Sequence, residues 1–200
     1  MNNLSLIDHF KQLANFSGRE NNRSFWPYAA IIIGVAILLF MLSFIPIMNK
    51  AIATAQKFAA EHPDQVTVSQ GPGQYSVSVH GPGAPPLFSA HDLFLSLGLV
   101  FGLSIILLAA AIVRRLHDTG KAGWWALMPV PFIVYSTVMM PLMFDRASRP
   151  TSDDFPIGLF FSVFFSNLLY MVALVTLIIL LTGKSQIDDN LYGADTHTGT

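Results

Sequence analysis

The 200-residue chain has no cysteine, which excludes disulfides, thiolate nucleophiles and Cys-ligated metals. It also removes redox chemistry as a guide to compartment. Charge is scarce as well: Asp, Glu, Lys and Arg make up 12% of the residues, about half of the roughly 25% that a soluble domain carries. What charge there is lies in clusters separated by long neutral stretches, and 52% of the residues are hydrophobic. Such a chain is built for lipid. Its net charge of -1 says little about partners, because in a membrane protein the placement of Lys and Arg carries the information. No nucleic acid is expected as a partner, and no cofactor or metal.

Four segments lack Asp, Glu, Lys and Arg and are long enough to cross a hydrocarbon core of about 30 Å. Their apolar bodies run over 28–48, 93–113, 124–144 and 156–181. Each is longer than a barrel strand needs and none alternates apolar with polar, so helices are expected. Pro129 and Pro131 predict a kink or a distorted first turn in the third span. About 26 polar or amphipathic residues precede the first span, unlike the layout of a secretory signal, so that span is expected to stay as an anchor.

Orientation follows from the basic residues beside the spans. Lys11, Arg19, Arg23, Arg114, Arg115, Lys121 and Lys184 fall on one side; Lys50, Lys57, Arg146 and Arg149 fall on the other. Both termini and the loop between spans two and three are therefore expected in the cytoplasm. Trp26, Trp124 and Trp125 all fall at the same edge, as interfacial anchors would.

Outside the spans, residues 4–15 place Leu6, Ile7, Phe10, Leu13 and Ala14 on one helical face. An amphipathic helix results, lying on the inner leaflet or packed on the protein's own cytoplasmic loops. In the long first loop, Val66–Ser69 and Tyr75–Val79 alternate apolar and polar residues around Gly71-Pro72-Gly73, which reads as a β-hairpin. His62, His80 and His91 share that loop, in a spacing that matches no zinc pattern.

The expected architecture is an all-α membrane protein, a four-helix transmembrane bundle with an extracytoplasmic β-hairpin in the first loop. Its parts are a cytoplasmic amphipathic segment at 1–26, spans at 27–48, 93–113, 124–144 and 156–182, extracytoplasmic loops at 49–92 and 145–155, a cytoplasmic basic loop at 114–123 and a cytoplasmic tail at 183–200. Gly98 and Gly102 form a Gly-x-x-x-Gly step for helix packing, and Asn167 and Tyr170 are candidate interhelical hydrogen-bonders.

The segment richest in chemistry is the middle loop, Arg114-Arg115-Leu116-His117-Asp118-Thr119-Gly120-Lys121-Ala122-Gly123-Trp124-Trp125. It resembles the hallmark of the domain-of-unknown-function 805 family, the YhaH-like bacterial inner-membrane proteins, whose pattern is approximately Arg-Arg-Leu-His-Asp-Thr-Gly-x-Ser-Gly-Trp-Trp. Ala122 departs, standing where that pattern has serine. Phe16-Ser17-Gly18-Arg19 with Arg23, Phe25 and Trp26 is similar to the family's entry to span one, and Asn190, Gly193 and Asp195 to its ending after span four. The 49–92 loop looks like an insertion. The resemblance implies a bacterial inner-membrane location and carries no activity.

Arg19, Arg23, Arg114, Arg115, His117, Asp118, Gly120 and Lys121 are thus the candidate site. They can pair with one another and cap helix ends, or bind anionic headgroups or another phosphate. A third possibility makes His117 a general acid/base oriented by Asp118, which needs a non-helical turn. The functional expectation is a non-catalytic membrane protein whose basic cytoplasmic face engages membrane lipids, a membrane-protein partner or a second copy. The alternative is a transporter or channel acting as a homo-oligomer. No ionisable residue inside a span body marks an ion pathway.

Overall fold

The computed structural model describes residues 6–71, 74–79, 90–147 and 156–194. Four helices among them are long and apolar enough to cross a membrane. A short helix α1 (Leu6–Lys11) precedes the first of these, α2 (Asn22–Glu61). The other three are α3 (Ala90–Asp118), α4 (Val130–Ala147) and α5 (Ile157–Thr182). Most of their large apolar side chains point outward, Leu38, Leu99, Ile106 and Ile179 among them. In water that surface would be costly; in hydrocarbon it is at no disadvantage.

Helix α2 starts at a cap in which the Asn21 side chain accepts from the Ser24 backbone N–H at 2.9 Å, satisfying one of the free donors of the first turn. Its 40 residues span about 60 Å at 1.5 Å per residue, roughly twice a hydrocarbon core. The helix therefore continues well past its apolar body. Beyond it, β1 (Val66–Gly71) and β2 (Gln74–Val79) pair antiparallel, with Val66 opposite Val79 and Gly71 opposite Gln74.

A 3-10 turn over Gly123–Leu127 precedes α4, so the helix begins only at Val130, between Pro129 and Pro131. Helix α2 packs on α3, α4 packs on α5, and α3 touches both α4 and α5. The apolar core lies toward the end where α3 and α5 finish, built from Phe25, Tyr28 and Ile32 of α2, Leu108, Ala111 and Leu116 of α3, and Leu177 and Leu181 of α5. The Tyr28 hydroxyl donates to the Leu107 carbonyl at 2.8 Å, which ties α2 to α3 inside the apolar layer.

Two packing expectations change. Of the glycine step, Gly98 lies against α4, where a methyl would meet Thr137 Cγ2 at 3.6 Å, whereas Gly102 faces open space. Asn167 donates back to Val163 of its own helix at 2.9 Å instead of crossing to a neighbour. Between α4 and α5 the polar contacts come from hydroxyls: Tyr135 Oη donates to Ser162 Oγ at 2.9 Å, and Ser166 Oγ to the Phe132 carbonyl at 3.2 Å.

Candidate functional site

At the end where α3 and α5 finish, three segments distant in sequence meet: residues 9–20, the end of α3 with its turn, and the tail after α5. The turn is set by Gly120. The Gly120 N–H donates to the His117 carbonyl at 3.0 Å and the Lys121 N–H to the Leu116 carbonyl at 2.8 Å, the paired bonds of a Schellman ending. Gly120 has φ +72°, and a Cβ there would run into the Gln186 carboxamide. Glycine is thus required twice, by backbone sign and by space. Gly123 is required by space alone, because a methyl would sit 2.7 Å from Val113 Cγ1.

Helix α3 delivers three charged side chains into this junction. Arg114 grips Glu20 Oε2 with Nε at 3.0 Å and Nη2 at 2.9 Å, while its Nη1 donates to the carbonyls of Gln12 and Asn15. The second Glu20 oxygen holds His9 Nε2 at 2.7 Å. One turn further, Asp118 bridges two guanidiniums, Arg19 at 3.2 Å and Arg115. Arg115 also donates to the carbonyls of Leu181 and Gly183 at 2.9 and 2.7 Å and to Ser185 Oγ at 3.0 Å. Arg19 reaches the carbonyls of Gln186 and Asp188. The tail is fastened to the turn in return, with Gln186 N–H on the Asp118 carbonyl at 2.9 Å and Asn190 Nδ2 on the His117 carbonyl at 2.9 Å.

Almost none of this meets solvent. Arg115 and Asp118 are 0% exposed, Glu20 1%, His9 2% and Arg114 3%. Three guanidiniums face two carboxylates, leaving a surplus positive charge even with His9 neutral. The surplus is met by the Leu181 and Gly183 carbonyls at the C-terminal, negative end of the α5 dipole, where the last turn leaves acceptors free. Each charge has its partner. Burying such a group alone would be prohibitive.

The structure brings together Arg19, Arg114, Arg115, His117, Asp118, Gly120, Asn190 and Gly193 of the residues singled out from sequence. Arg23 and Lys121 are exposed at the rim, as are Trp26 and Trp124, the latter 61% exposed. Trp125 is half-buried and packs against the apolar core, so it contributes to packing where an interfacial anchor was expected. Asp195 lies outside the described residues, as does His80. His62 ends α2, its ring 4.8 Å from Phe58, and His91 lies 3.7 Å from Asp92.

An acid/base pair of His117 and Asp118 is not formed. Asp118 is committed to Arg19 and Arg115, while His117 Nδ1 lies 3.2 Å from the Gly18 carbonyl and its ring stacks on Tyr192 at 3.8 Å. The two side chains diverge because both remain in helical backbone. Nor do Arg114 and Arg115 offer a face to a phosphate, since their donors are spent on protein oxygens. The open hollow beside them, about 550 Å³, is lined by Gly120, Gln186, Asp189, Asn190, Leu191 and Tyr192, and no guanidinium reaches it.

Sequence reasoning missed Glu20 and His9. Glu20 is the sole carboxylate between Asp8 and Glu61, set in the middle of a basic entry. That isolation was the available signal, passed over because orientation is judged from Lys and Arg alone.

A family model described as "Protein of unknown function (DUF805)" matches residues 13–194, nearly the whole chain, and the chain belongs to that family. No curated protein and no solved structure matches it.

Proposed function

We propose that this DUF805 protein is a non-catalytic, multi-pass protein of a bacterial inner membrane, with both termini in the cytoplasm and the junction just described at the inner surface. The locked junction is a platform: its buried arginines hold three segments in one arrangement, and its exposed cations meet anionic headgroups. Lys11, Arg23, Lys121 and Lys184 form that exposed set, with Trp26 and Trp124 at the same edge. The strands β1 and β2, on this orientation, lie on the extracytoplasmic side. The observation that carries the reading is the division of labour among the basic residues. Arg19, Arg114 and Arg115 are enclosed, the other four face outward, and all seven lie on the side that the positive-inside rule assigns to the cytoplasm.

Each exposed cation near an anionic surface contributes about 1 kcal/mol, or about fivefold in affinity. Replacing Lys11, Lys121 and Lys184 together with Gln is therefore expected to lower the anionic lipid retained on purification by roughly two orders of magnitude in apparent affinity. Native mass spectrometry of protein released from mixed phosphatidylglycerol and phosphatidylcholine nanodiscs reads this directly. Undiminished retention of phosphatidylglycerol by the triple variant removes the headgroup reading. A C-terminal fluorescent reporter that lights only in the cytosol checks the orientation separately.

No observation favours transport. The four apolar bodies contain no Asp, Glu, Lys, Arg or His, and such residues are the usual markers of ion and proton pathways.

A further inference from the structure

Helix α1 is built with its polarity reversed. Six residues make under two turns, far too short to hold together alone, so its docking decides whether it exists. The docked side is polar. His9 is 2% exposed, its Nε2 on Glu20 at 2.7 Å and its ring stacked on Tyr28 at 4.2 Å and 16°. Just past the helix, Arg114 clasps the Gln12 and Asn15 carbonyls at 3.1 and 2.6 Å. The outward side is apolar apart from Lys11. Ile7 is 66% exposed and Phe10 49%, three residues apart and hence on the same side of the helix. Phe16, just beyond, is exposed as well.

A surface helix in water turns the other way, with its apolar stripe inward and its charges out. Histidine in and isoleucine out gains only if the surroundings are themselves apolar. The position of the helix says which surroundings these are. Helix α2 begins at Asn22, eleven residues beyond Lys11, and presents Trp26 at its first turns with the indole N–H on Asn22 Oδ1 at 2.9 Å. Lys11 is exposed beside the apolar pair, suited to the headgroup charge of a bacterial leaflet.

We infer that α1 is a membrane-surface anchor, docked by its polar side on the protein and sunk by Ile7 and Phe10 into the inner leaflet, about 5–10 Å deep at the headgroup and acyl boundary. It links the charge cluster directly to the leaflet, since Glu20 binds both His9 and Arg114. The inference rests on the reading that places this junction at a membrane surface; it does not require the headgroups to be anionic.

The absence of cysteine makes the test clean. Phe10→Cys and Ile7→Cys carry a nitroxide label in nanodiscs, with Leu39→Cys as the lipid-facing reference and Asp188→Cys, exposed in the tail, as the aqueous one. The expected result is oxygen collision between the values at positions 188 and 39, and collision with a water-soluble nickel chelate severalfold below that at position 188. Adding His9→Ala, which removes the docking side chain, should raise nickel collision at position 10 toward the aqueous value. Nickel access equal to that at 188 in the parent background overturns the anchor, leaving α1 in water. Protection from both reagents overturns it too and puts a second copy or another protein over the pair. The same labels in nanodiscs of phosphatidylcholine alone separate this from the headgroup reading. Unchanged depth keeps the anchor even if the lysine triple variant retains its phosphatidylglycerol.

Discussion

Helix α3 is held by ion pairs at both of its ends, and the two differ in everything but chemistry. Near its start, Asp92 meets Lys50 of α2 at 2.9 Å with side chains 41% and 73% exposed. At its finish, Asp118 meets Arg19 and Arg115 with side chains of at most 1% exposure. Solvent screens the first pair and pays both partners to stay apart, so such pairs contribute about 0–1 kcal/mol. The second cannot open without leaving a charge dehydrated, and removal of one partner of a buried pair costs about 3–5 kcal/mol. The lesson is one of place. The same carboxylate-to-cation contact is a decoration at one end of α3 and a condition of folding at the other.

Asp118→Ala breaks the stronger side of this contrast. It strips two guanidiniums of one shared acceptor and is expected to cost at least the roughly 3–5 kcal/mol of a single broken buried pair. Thermal unfolding in detergent, followed by fluorescence of the tryptophans near the junction, should show a large fall in midpoint or no cooperative transition. A change of under about 1 kcal/mol would put the Asp118 end in the class of surface pairs. The contrast would then be lost.

Gly120→Ala sharpens it, because it disturbs the same junction without touching a charge. A side chain at φ +72° is strained, and here it also displaces Gln186. The expected cost is about 1–3 kcal/mol, below that of Asp118→Ala, in the same unfolding measurement. With Gln186→Ala added, the steric part should be relieved and the backbone part should remain. Full recovery in the double variant would show that the left-handed turn itself carries no strain.

How far these features were legible follows from their range along the chain. Apolar runs bounded by charges declare themselves locally, and four long apolar helices are present. The turn after α3 is set as locally, by Gly120 two residues past Asp118. What stayed hidden needed contacts between remote segments. Glu20 finds Arg114 across 94 positions, and Arg115 finds the Leu181 carbonyl across 66. An arginine bound for burial and one bound for a headgroup carry the same letter. Asn167 misled for a related reason, since a polar group in an apolar helix needs a partner and the cheapest was four residues back on its own helix. Trp125 shows the limit of a local rule: Trp124 and Trp125 stack at 4.4 Å, yet one faces out and the other packs against the core.

Lys50→Ala is the smallest of these effects and tests the weaker end of α3. The Lys50 side chain is 73% exposed, so water and salt take over most of what Asp92 provides. The loss should be under about 1 kcal/mol, and raising ionic strength to about 1 M, where the screening length falls to about 3 Å, should bring parent and variant together. The control is the other end: the cost of Asp118→Ala should change little over the same salt range, because buried pairs are screened much less. If Lys50→Ala instead costs as much as Asp118→Ala and resists salt, the Lys50 end of α3 is enclosed by something in the membrane. Exposure in the isolated chain would then have misjudged where the anchoring of α3 lies.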